Sequence, residues 1–432
     1  MKVILINPPS PWLISDRDMP SQGILNIGAF LRANNIETSI TDLAGIPEEY
    51  WHIPHADIYG ISCVTPQYPY VKKIVQKLKK RQSDSIVVLG GVHPTVLSEL
   101  TLRDSGCDIV VKNDGELVML EIVNGRRDKI IQGTLIQDLD AFPFPAWDML
   151  DIYDYHKMGT NSFYGPTKNN REGYVQTARG CPYNCAFCAQ SHMTQRLVRF
   201  KSINRVIAEV KYLMERFKCD RFYFFDDSFV IKKSRVEDIC TELEKIEGLD
   251  WHCLSRVDKA DIDLYIKMKK AGCKGVCYGI ESGSAQILKK VNKVTTPEQN
   301  QRAIHIAKEA GLKVRCQVIV GLPGETWDTI EETAQLIRNT NADTWGVHIF
   351  VPLPGCNIWE NPDKFNFKVE TTNNNFEYFQ TIGRAGDHAA AKIHSNPEEV
   401  IEWKYYLLKI VGEKDIAKFA EIKLDKIGSE TL

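Results

Sequence analysis

The chain has 432 residues, of which 43% are hydrophobic and 25% charged, with a net charge of −2. Such a chain builds more than one core, and its near-zero charge implies no broad polyanion-binding surface, so nucleic acid is not a favoured partner. No apolar run reaches membrane-spanning length, and the apolar run within Met-Lys-Val-Ile-Leu-Ile-Asn-Pro-Pro is too short for a signal peptide, so a cytoplasmic protein is expected.

The first third alternates apolar runs with helical periodicity. Strands are predicted over 2–6, 37–41, 57–62, 85–89 and 108–112, and helices over 22–33, 70–81, 95–104 and 116–124. Continuous apolar strands separated by helices predict an α/β domain over 1–140, a Rossmann-like, doubly wound parallel sheet whose ligand lies across the C-terminal strand ends. The loops at those ends are Asn7-Pro-Pro-Ser-Pro, Ser62-Cys-Val-Thr65-Pro-Gln67-Tyr68-Pro, Gly90-Gly91-Val92-His93-Pro-Thr and Asn113-Asp-Gly-Glu116. Glycines there allow close backbone approach, and the helix start after Pro94 can receive a phosphate, although each loop alone is an ordinary strand-to-helix turn.

Together these loops resemble the cobalamin-binding domain fused to one large class of radical S-adenosylmethionine (SAM) enzymes, in which a double glycine followed by His-Pro ends the fourth strand. The usual Gly-Glu-Gly-Glu after the fifth strand appears as Asn113-Asp-Gly-Glu116. The resemblance implies a cobalamin site formed by Ser62, Thr65, Gln67, Tyr68, Gly90, Gly91, Val92, His93 and Glu116. Domains that ligate cobalt from below carry Asp-x-His-x-x-Gly after the first strand, whereas residues 7–17 hold no histidine. His93 follows a different strand and is read as a turn or phosphate-side residue. The lower cobalt face is then expected to meet the loop 65–68 without a strong axial ligand, which would tune how readily a methyl group leaves.

Residues 141–170, with Phe142-Pro-Phe-Pro-Ala-Trp, read as a stiff linker. The β-α alternation then recurs, with strands over 174–178, 221–225, 251–256, 275–280, 314–320 and 344–351 and helices over 204–217, 235–247, 261–271, 285–290, 297–310 and 327–339. Six such units predict a partial (β/α)6 barrel, TIM-like and open on one side, over 171–370, with active-site residues at its C-terminal strand ends.

The first of these strands runs into Thr177-Ala-Arg-Gly-Cys181-Pro-Tyr-Asn-Cys185-Ala-Phe187-Cys188-Ala. Gly180, Pro182 and Asn184 favour a turning loop over a helix, so that three thiolates can face one point. A structural zinc site is closed by four protein ligands, whereas a cluster iron without a protein ligand stays open to a substrate or cofactor. The loop, including Phe187 before the third cysteine, resembles the signature of the radical SAM superfamily. The resemblance implies that Cys181, Cys185 and Cys188 hold a [4Fe–4S] cluster whose fourth iron is chelated by the amino and carboxylate groups of SAM. The chain has twelve cysteines, and the other nine are scattered, with Cys253, Cys277 and Cys316 in apolar runs, so reduced thiols and no second cluster are expected.

The later strand ends are polar. Asp226 and Asp227 follow the second barrel strand and read as a helix N-cap or a ligand contact, capping being the safer reading for one of them. Arg256 suits the carboxylate of SAM, or a salt bridge to Asp258 or Glu281. Glu281 and Ser282, in Gly279-Ile-Glu-Ser-Gly, resemble the superfamily's ribose-binding element. Gln317 and Gly321, in Gln317-Val-Ile-Val-Gly-Leu-Pro-Gly-Glu325, resemble its adenine-side element. Val351-Pro-Leu-Pro-Gly-Cys356 is similar to a Pro-x-Pro-Gly-Thr pattern of the cobalamin-linked class, with Cys356 in place of threonine at the barrel mouth. After the polar break at 371–375, helical patterns over 398–411 and 415–426 predict a small helical cap, assigned to 371–432, that closes the open side of the barrel.

The resemblance implies the chemistry. An electron donor such as flavodoxin or ferredoxin reduces the cluster, SAM is cleaved, and the 5′-deoxyadenosyl radical takes hydrogen from an unactivated carbon of a small molecule or peptide. Methylcobalamin then supplies a methyl group, which makes a cobalamin-dependent methyltransferase, with Cys356 and Tyr68 expected near the substrate. Rival readings are a cyclisation or rearrangement with the same cofactors, a tRNA-type methylthiotransferase and a non-catalytic sensor. The methylthiotransferases carry three further N-terminal cysteines where this chain has only Cys63 and Cys107. A sensor has no use for a ribose contact at Glu281.

Overall fold

The computed structural model describes residues 1–412 apart from 14, 156–162, 369–375, 377 and 381–385, so the helix expected over 415–426 lies outside the described residues. The first sheet contains β1 (Lys2–Asn7), β2 (Glu37–Asp42), β3 (Ile58–Ser62), β4 (Ile86–Gly90), β5 (Ile109–Lys112) and β6 (Ile130–Gln132). All pairs are parallel in the order β2-β1-β3-β4-β5-β6, so the order reverses between β1 and β3. Val3, Ile4, Leu5 and Ile6 are all buried, which is why β1 reads as an unbroken apolar run. The edge strand β6 was not anticipated, because its three residues lie in a charged context with too little apolar length to signal. The helix expected over 95–104 is two helices, Val92–Val96 and Ser98–Ser105, divided at Leu97. Gly91, at φ +100°, turns the chain so sharply that the helix begins earlier than expected.

The second sheet comprises β7 (Glu172–Val175), followed, after the hairpin strands β8 (Ala178–Arg179) and β9 (Arg199–Phe200), by β10 (Arg221–Phe224), β11 (Asp250–Ser255), β12 (Cys273–Glu281), β13 (Lys313–Val320) and β14 (Thr344–Ile349). Its order β14-β13-β12-β11-β10-β7 is that of a parallel (β/α)6 sheet, with β7 and β14 at its two free edges. The strand expected over 174–178 ends instead at Val175, because the Thr177 N–H and hydroxyl both donate to Asp226 and draw the chain out of the sheet. Inward residues alternate along β12, β13 and β14, giving a partly open, polar row of Cys277, Gln317 and His348. At the opposite end Tyr164 stacks on His252 at 4.4 Å, and a Cβ on Gly275 would lie 2.6 Å from that tyrosine ring.

The linker is anchored. Trp147 is fully buried, Ala146 N–H donates to Leu25 O at 3.1 Å, and Arg32 forms a two-pronged pair with Asp148 at 2.6 and 2.9 Å. The Tyr155 hydroxyl lies between Asn7 and Asp42, at the C-terminal ends of β1 and β2. The helix Pro397–Val411 packs against the helix Trp327–Arg338 and against β14, at that edge of the sheet. Among the described residues no helix is long and apolar enough to cross a membrane.

Replacing Trp147 by alanine empties the space of a fully buried indole, and such truncations cost about 3–5 kcal/mol. The Trp147→Ala protein should therefore show a lower urea midpoint with an unchanged denaturant slope.

Candidate active site at the facing strand ends

The three cysteines lie on one excursion of the chain. The strands β8 and β9 pair antiparallel, Ala178 with Phe200 and Arg179 with Arg199, and everything between them, including Cys181, Cys185 and Cys188, loops out from that root. Gly180 is required there: its φ is +105°, and a Cβ would stand 2.0 Å from Leu197 O. Neither of the adjacent aspartates caps a helix, contrary to the expectation for one of them. Asp226 accepts from Thr177 and from Ala178 N–H, whereas Asp227 accepts from Gln190 Nε2 at 2.7 Å, so both hold the loop. Ala186 is pinned through its N–H to Val291 O and through its carbonyl to Ile358 N–H.

Burial raises the thiols of Cys181 and of Cys188, the latter to about 12, and the neighbouring sulfurs add to both shifts. As thiolates they therefore call for a cation, which bound iron supplies. Among the described residues no three His, Cys, Asp or Glu side chains are drawn up around a single ion. Three cysteines on one short loop are the donor chemistry that an iron–sulfur cluster takes, and we propose them as its ligands.

The guanidinium of Arg256 connects this loop to the barrel mouth. It lies 3.5 Å over the Tyr183 ring, donates to Asp258 at 2.8 Å and to Lys293 O at 3.2 Å, and brings Nη1 to 4.0 Å from Cys185 Sγ. Glu281 ends β12 at φ +65° beside a register shift, a backbone state that a glutamate adopts only when its surroundings enforce it. Its carboxylate is held by Lys293 at 2.6 Å, with both side chains nearly water-free. Lys293 also lies 5.8 Å over Phe187. Ser282 is fully buried, close to Thr333 Oγ1 and accepting from Ser284 N–H, so it fixes the turn from within. Gln317 bridges His348, at 2.7 Å, and Cys277, at 3.7 Å. Gly321 has φ +84°, and a Cβ there would strike His394, whose Nε2–H donates to Phe350 O.

Cys356 is not at an open mouth. It is fully buried and caps the helix Asn357–Glu360 by accepting from Trp359 N–H at 3.4 Å, the work a threonine does at that place.

In the first domain the crevice lies at the switch point, where Ser62, Gly90, Gly91 and Val92 are half-buried and Val64 is 38% exposed. Gln67 ties it to the first loop, donating to Pro8 O and Ser10 Oγ. Thr65 is buried and its hydroxyl lies 3.4 Å from His93 Nδ1. Tyr68 and His93 are both fully buried and stacked at 4.1 Å, and the tyrosine hydroxyl donates to Asp104. Burial drives the His93 pKa down to about 3, so the ring is neutral. Glu116 points to the barrel, pairing with Arg179 at 2.8 Å.

Comparison with known proteins decides the family. Residues 175–337 match the Radical SAM superfamily, and residues 15–123 match the B12 binding domain. A protein of Pyrococcus horikoshii named as an uncharacterized methyltransferase is 32% identical over 395 residues, covering 83% of each chain. The chain is a radical SAM enzyme with a B12-binding domain. Its barrel carries a [4Fe–4S] cluster and SAM, and its first domain carries cobalamin. The anaerobic magnesium-protoporphyrin IX monomethyl ester cyclase of Rubrivivax gelatinosus is 30% identical over 331 residues, but this radical SAM enzyme spans only 58% of that cyclase and matches it over 70% of its own length. The radical SAM methyltransferase TsrM from Kitasatospora setae shares the fold, with a TM-score of 0.69 at 16% identity over 92% of this chain and 82% of that one.

Lys293 and Tyr183 carried no warning in the sequence: one follows a short helix, the other sits between the cysteines, and neither interrupts a period. Glu325 was passed over as part of a turn, yet this half-buried residue accepts from the N–H groups of Gly321 and Leu322 and keeps Oε1 out of water and unpartnered. Burial raises its pKa to about 8, so the folded protein holds this carboxyl protonated at neutral pH. A raised acid pKa gives stability that is complete below the unfolded value of 4.5 and is lost as pH rises to about 8. Between those limits stability should fall by up to about 1.4 kcal/mol per pH unit from this group, and Glu325→Gln should remove that slope in denaturant titrations run from pH 5 to 8.

The cysteine assignment is tested by iron. Anaerobic reconstitution should load about four irons per chain, and Cys181→Ala, Cys185→Ala and Cys188→Ala combined should reduce that to background with the barrel still folded by circular dichroism.

Proposed function

We propose that this enzyme methylates an unactivated carbon of a small molecule or peptide. The observation that carries the reading is the opposition of the two strand-end surfaces. The crevice helix Val92–Val96 packs on Gln190–Met193 of the cysteine loop, and Gly355 of the barrel lies so close to Val96 that a Cβ would fall 2.6 Å from its methyl. A ligand of the crevice and a ligand of the barrel mouth would therefore be neighbours across this contact. When bound, the cofactors supply an electron that cleaves SAM, a 5′-deoxyadenosyl radical that removes hydrogen from the substrate carbon and, with a second SAM, the methyl group.

The protein's own part is to bind and orient. Glu281, oriented by Lys293, is the acceptor for ribose hydroxyls, and Arg256 offers its cation to the methionyl carboxylate beside Cys185. Ser282, Gln317, Gly321 and Phe187 shape the surrounding wall. In the crevice, Ser62, Gly90, Gly91 and Val92 form the cobalamin face, backed by the buried Thr65, Gln67 and stacked Tyr68–His93 pair, with Glu116 turned to the barrel. Twelve reduced cysteines suit a cytoplasmic enzyme, served by a flavodoxin- or ferredoxin-type electron donor. The similarity to a cyclase favours a second reading, a radical rearrangement with the same cofactors.

Turnover under anaerobic conditions with SAM carrying a deuterated methyl group separates the two readings. Methylation should yield labelled product, with 5′-deoxyadenosine and S-adenosylhomocysteine in equal amounts; unlabelled product with 5′-deoxyadenosine alone would establish the rearrangement. Charge-assisted hydrogen bonds contribute about 1.5–3 kcal/mol, so Glu281→Ala and Arg256→Ala should each weaken SAM binding about 10- to 150-fold in calorimetry.

Because His93 is buried against Tyr68 rather than exposed in the crevice, the cobalt(II) form should lack axial nitrogen splitting in its spin spectrum. Splitting abolished by His93→Ala would reverse that assignment.

A further inference from the structure

The root of the cysteine loop is gripped by the other domain. Arg179 and Arg199 are cross-strand partners on β8 and β9, so their positions set where the intervening loop begins and ends. Both reach out of the barrel to the loop after β5. Arg179 Nη2 pairs with Glu116 at 2.8 Å and Nη1 lies 3.6 Å from Asp114, while Arg199 Nη1 pairs with Asp114 and donates to Ile136 O at 2.8 Å. Asp114 also accepts from Ile136 N–H at 2.9 Å. Side-chain exposures are 19% for Arg179, 4% for Arg199, 15% for Asp114 and 5% for Glu116, so two cations and two anions neutralise one another nearly out of water. Moving one member of such a group away from the others would leave an uncompensated buried charge.

The quartet is also linked to the crevice. Thr95 donates its hydroxyl to Gly91 O at 2.7 Å and accepts from Asn113 N–H at 3.0 Å. Asn113, at φ +63°, is the residue just before Asp114. A continuous set of hydrogen bonds and ion pairs thus runs from the Gly90-Gly91 turn, through Thr95 and Asn113, to the carboxylates, the arginines and the cysteine loop.

We propose that the Asp114, Glu116, Arg179 and Arg199 quartet couples occupancy of the crevice to the placement of the cluster loop, so that cobalamin and SAM bind cooperatively. A ligand seated against Gly91 selects one position of the Asn113–Glu116 loop, the arginines follow it, and the cysteines are set at the height that SAM requires. Arg179 and Arg199 are in this sense positioning residues. The inference rests on cobalamin occupying the crevice, and linkage demands that the effect be reciprocal.

The test uses the full chain with its cluster reconstituted and measures SAM affinity by calorimetry with and without hydroxocobalamin, then hydroxocobalamin affinity with and without SAM. Both comparisons should give one common factor of roughly 5 or more. In Asp114→Asn, compared at matched iron loading, the factor should fall towards one, whatever the change in SAM affinity in the absence of hydroxocobalamin. Should Asp114→Asn lose iron or fold poorly, Arg199→Lys decides: it keeps the charge and loses the fork, and a reduced factor supports the coupling whereas an unchanged one overturns it. Wild-type protein that binds both molecules with independent affinities overturns the coupling and leaves the cofactor reading standing. Failure to bind hydroxocobalamin at all removes both.

Discussion

The constraint on which the molecule depends is the fixing of a loop that has little secondary structure of its own. Between β8 and β9 the chain carries the three thiols proposed as cluster ligands, and a glycine-bearing turn cannot hold them in place unaided. Carboxylates from both sides supply the rigidity. Asp226 and Asp227 hold the loop from the barrel, and Asp114 and Glu116 hold its root from the cobalamin domain. Removing one partner of such a pair exposes a buried, uncompensated charge, which is far costlier than the pair itself is stabilising. The two domains are thereby made one functional body at the place where the cluster sits.

Two parallel sheets bring their C-terminal edges together, and that direction explains where polar side chains are affordable. Along β12 and β13 the outward residues are apolar and buried, while the inward row carries Cys277, Gln317 and, at the upper end, Glu281. The inward row holds polar groups because it can pair them internally, as Gln317 does with His348 and Glu281 with Lys293. Positive φ occurs at the strand ends as well, at Glu281, Gly321, Gly180 and Gly91. At Gly180 and Gly321 a Cβ would collide with a carbonyl oxygen or a histidine ring, so the close approach itself requires glycine.

Some side chains named from the sequence turn out to face inward. Tyr68 and Cys356, expected beside the substrate, are both fully buried, one stacked on His93 and the other capping a helix. Glu116 serves the interface between domains rather than the surface of the crevice. In each case the strand end was placed as expected, but the rotamer was chosen by neighbours far away in the chain. Asp226 illustrates the converse: a residue read as a local cap makes its bonds to Thr177 and Ala178, almost fifty positions earlier.

The sequence by itself determined the two α/β units, their parallel sheets, the cysteine loop and the polar strand ends. Burial on both faces of a strand forces an apolar run, and a tight turn forces glycine or proline, so these features are written in local composition. The helix Gln22–Ala33 is legible to the residue for the same reason. Tertiary structure alone decided that Lys293 faces Glu281, that Arg256 lies between Tyr183 and Cys185, and that two arginines of the barrel meet two carboxylates of the first domain. Ion pairs and stacked cations across such separations leave no period in the chain, because each partner is set by the fold of a different segment.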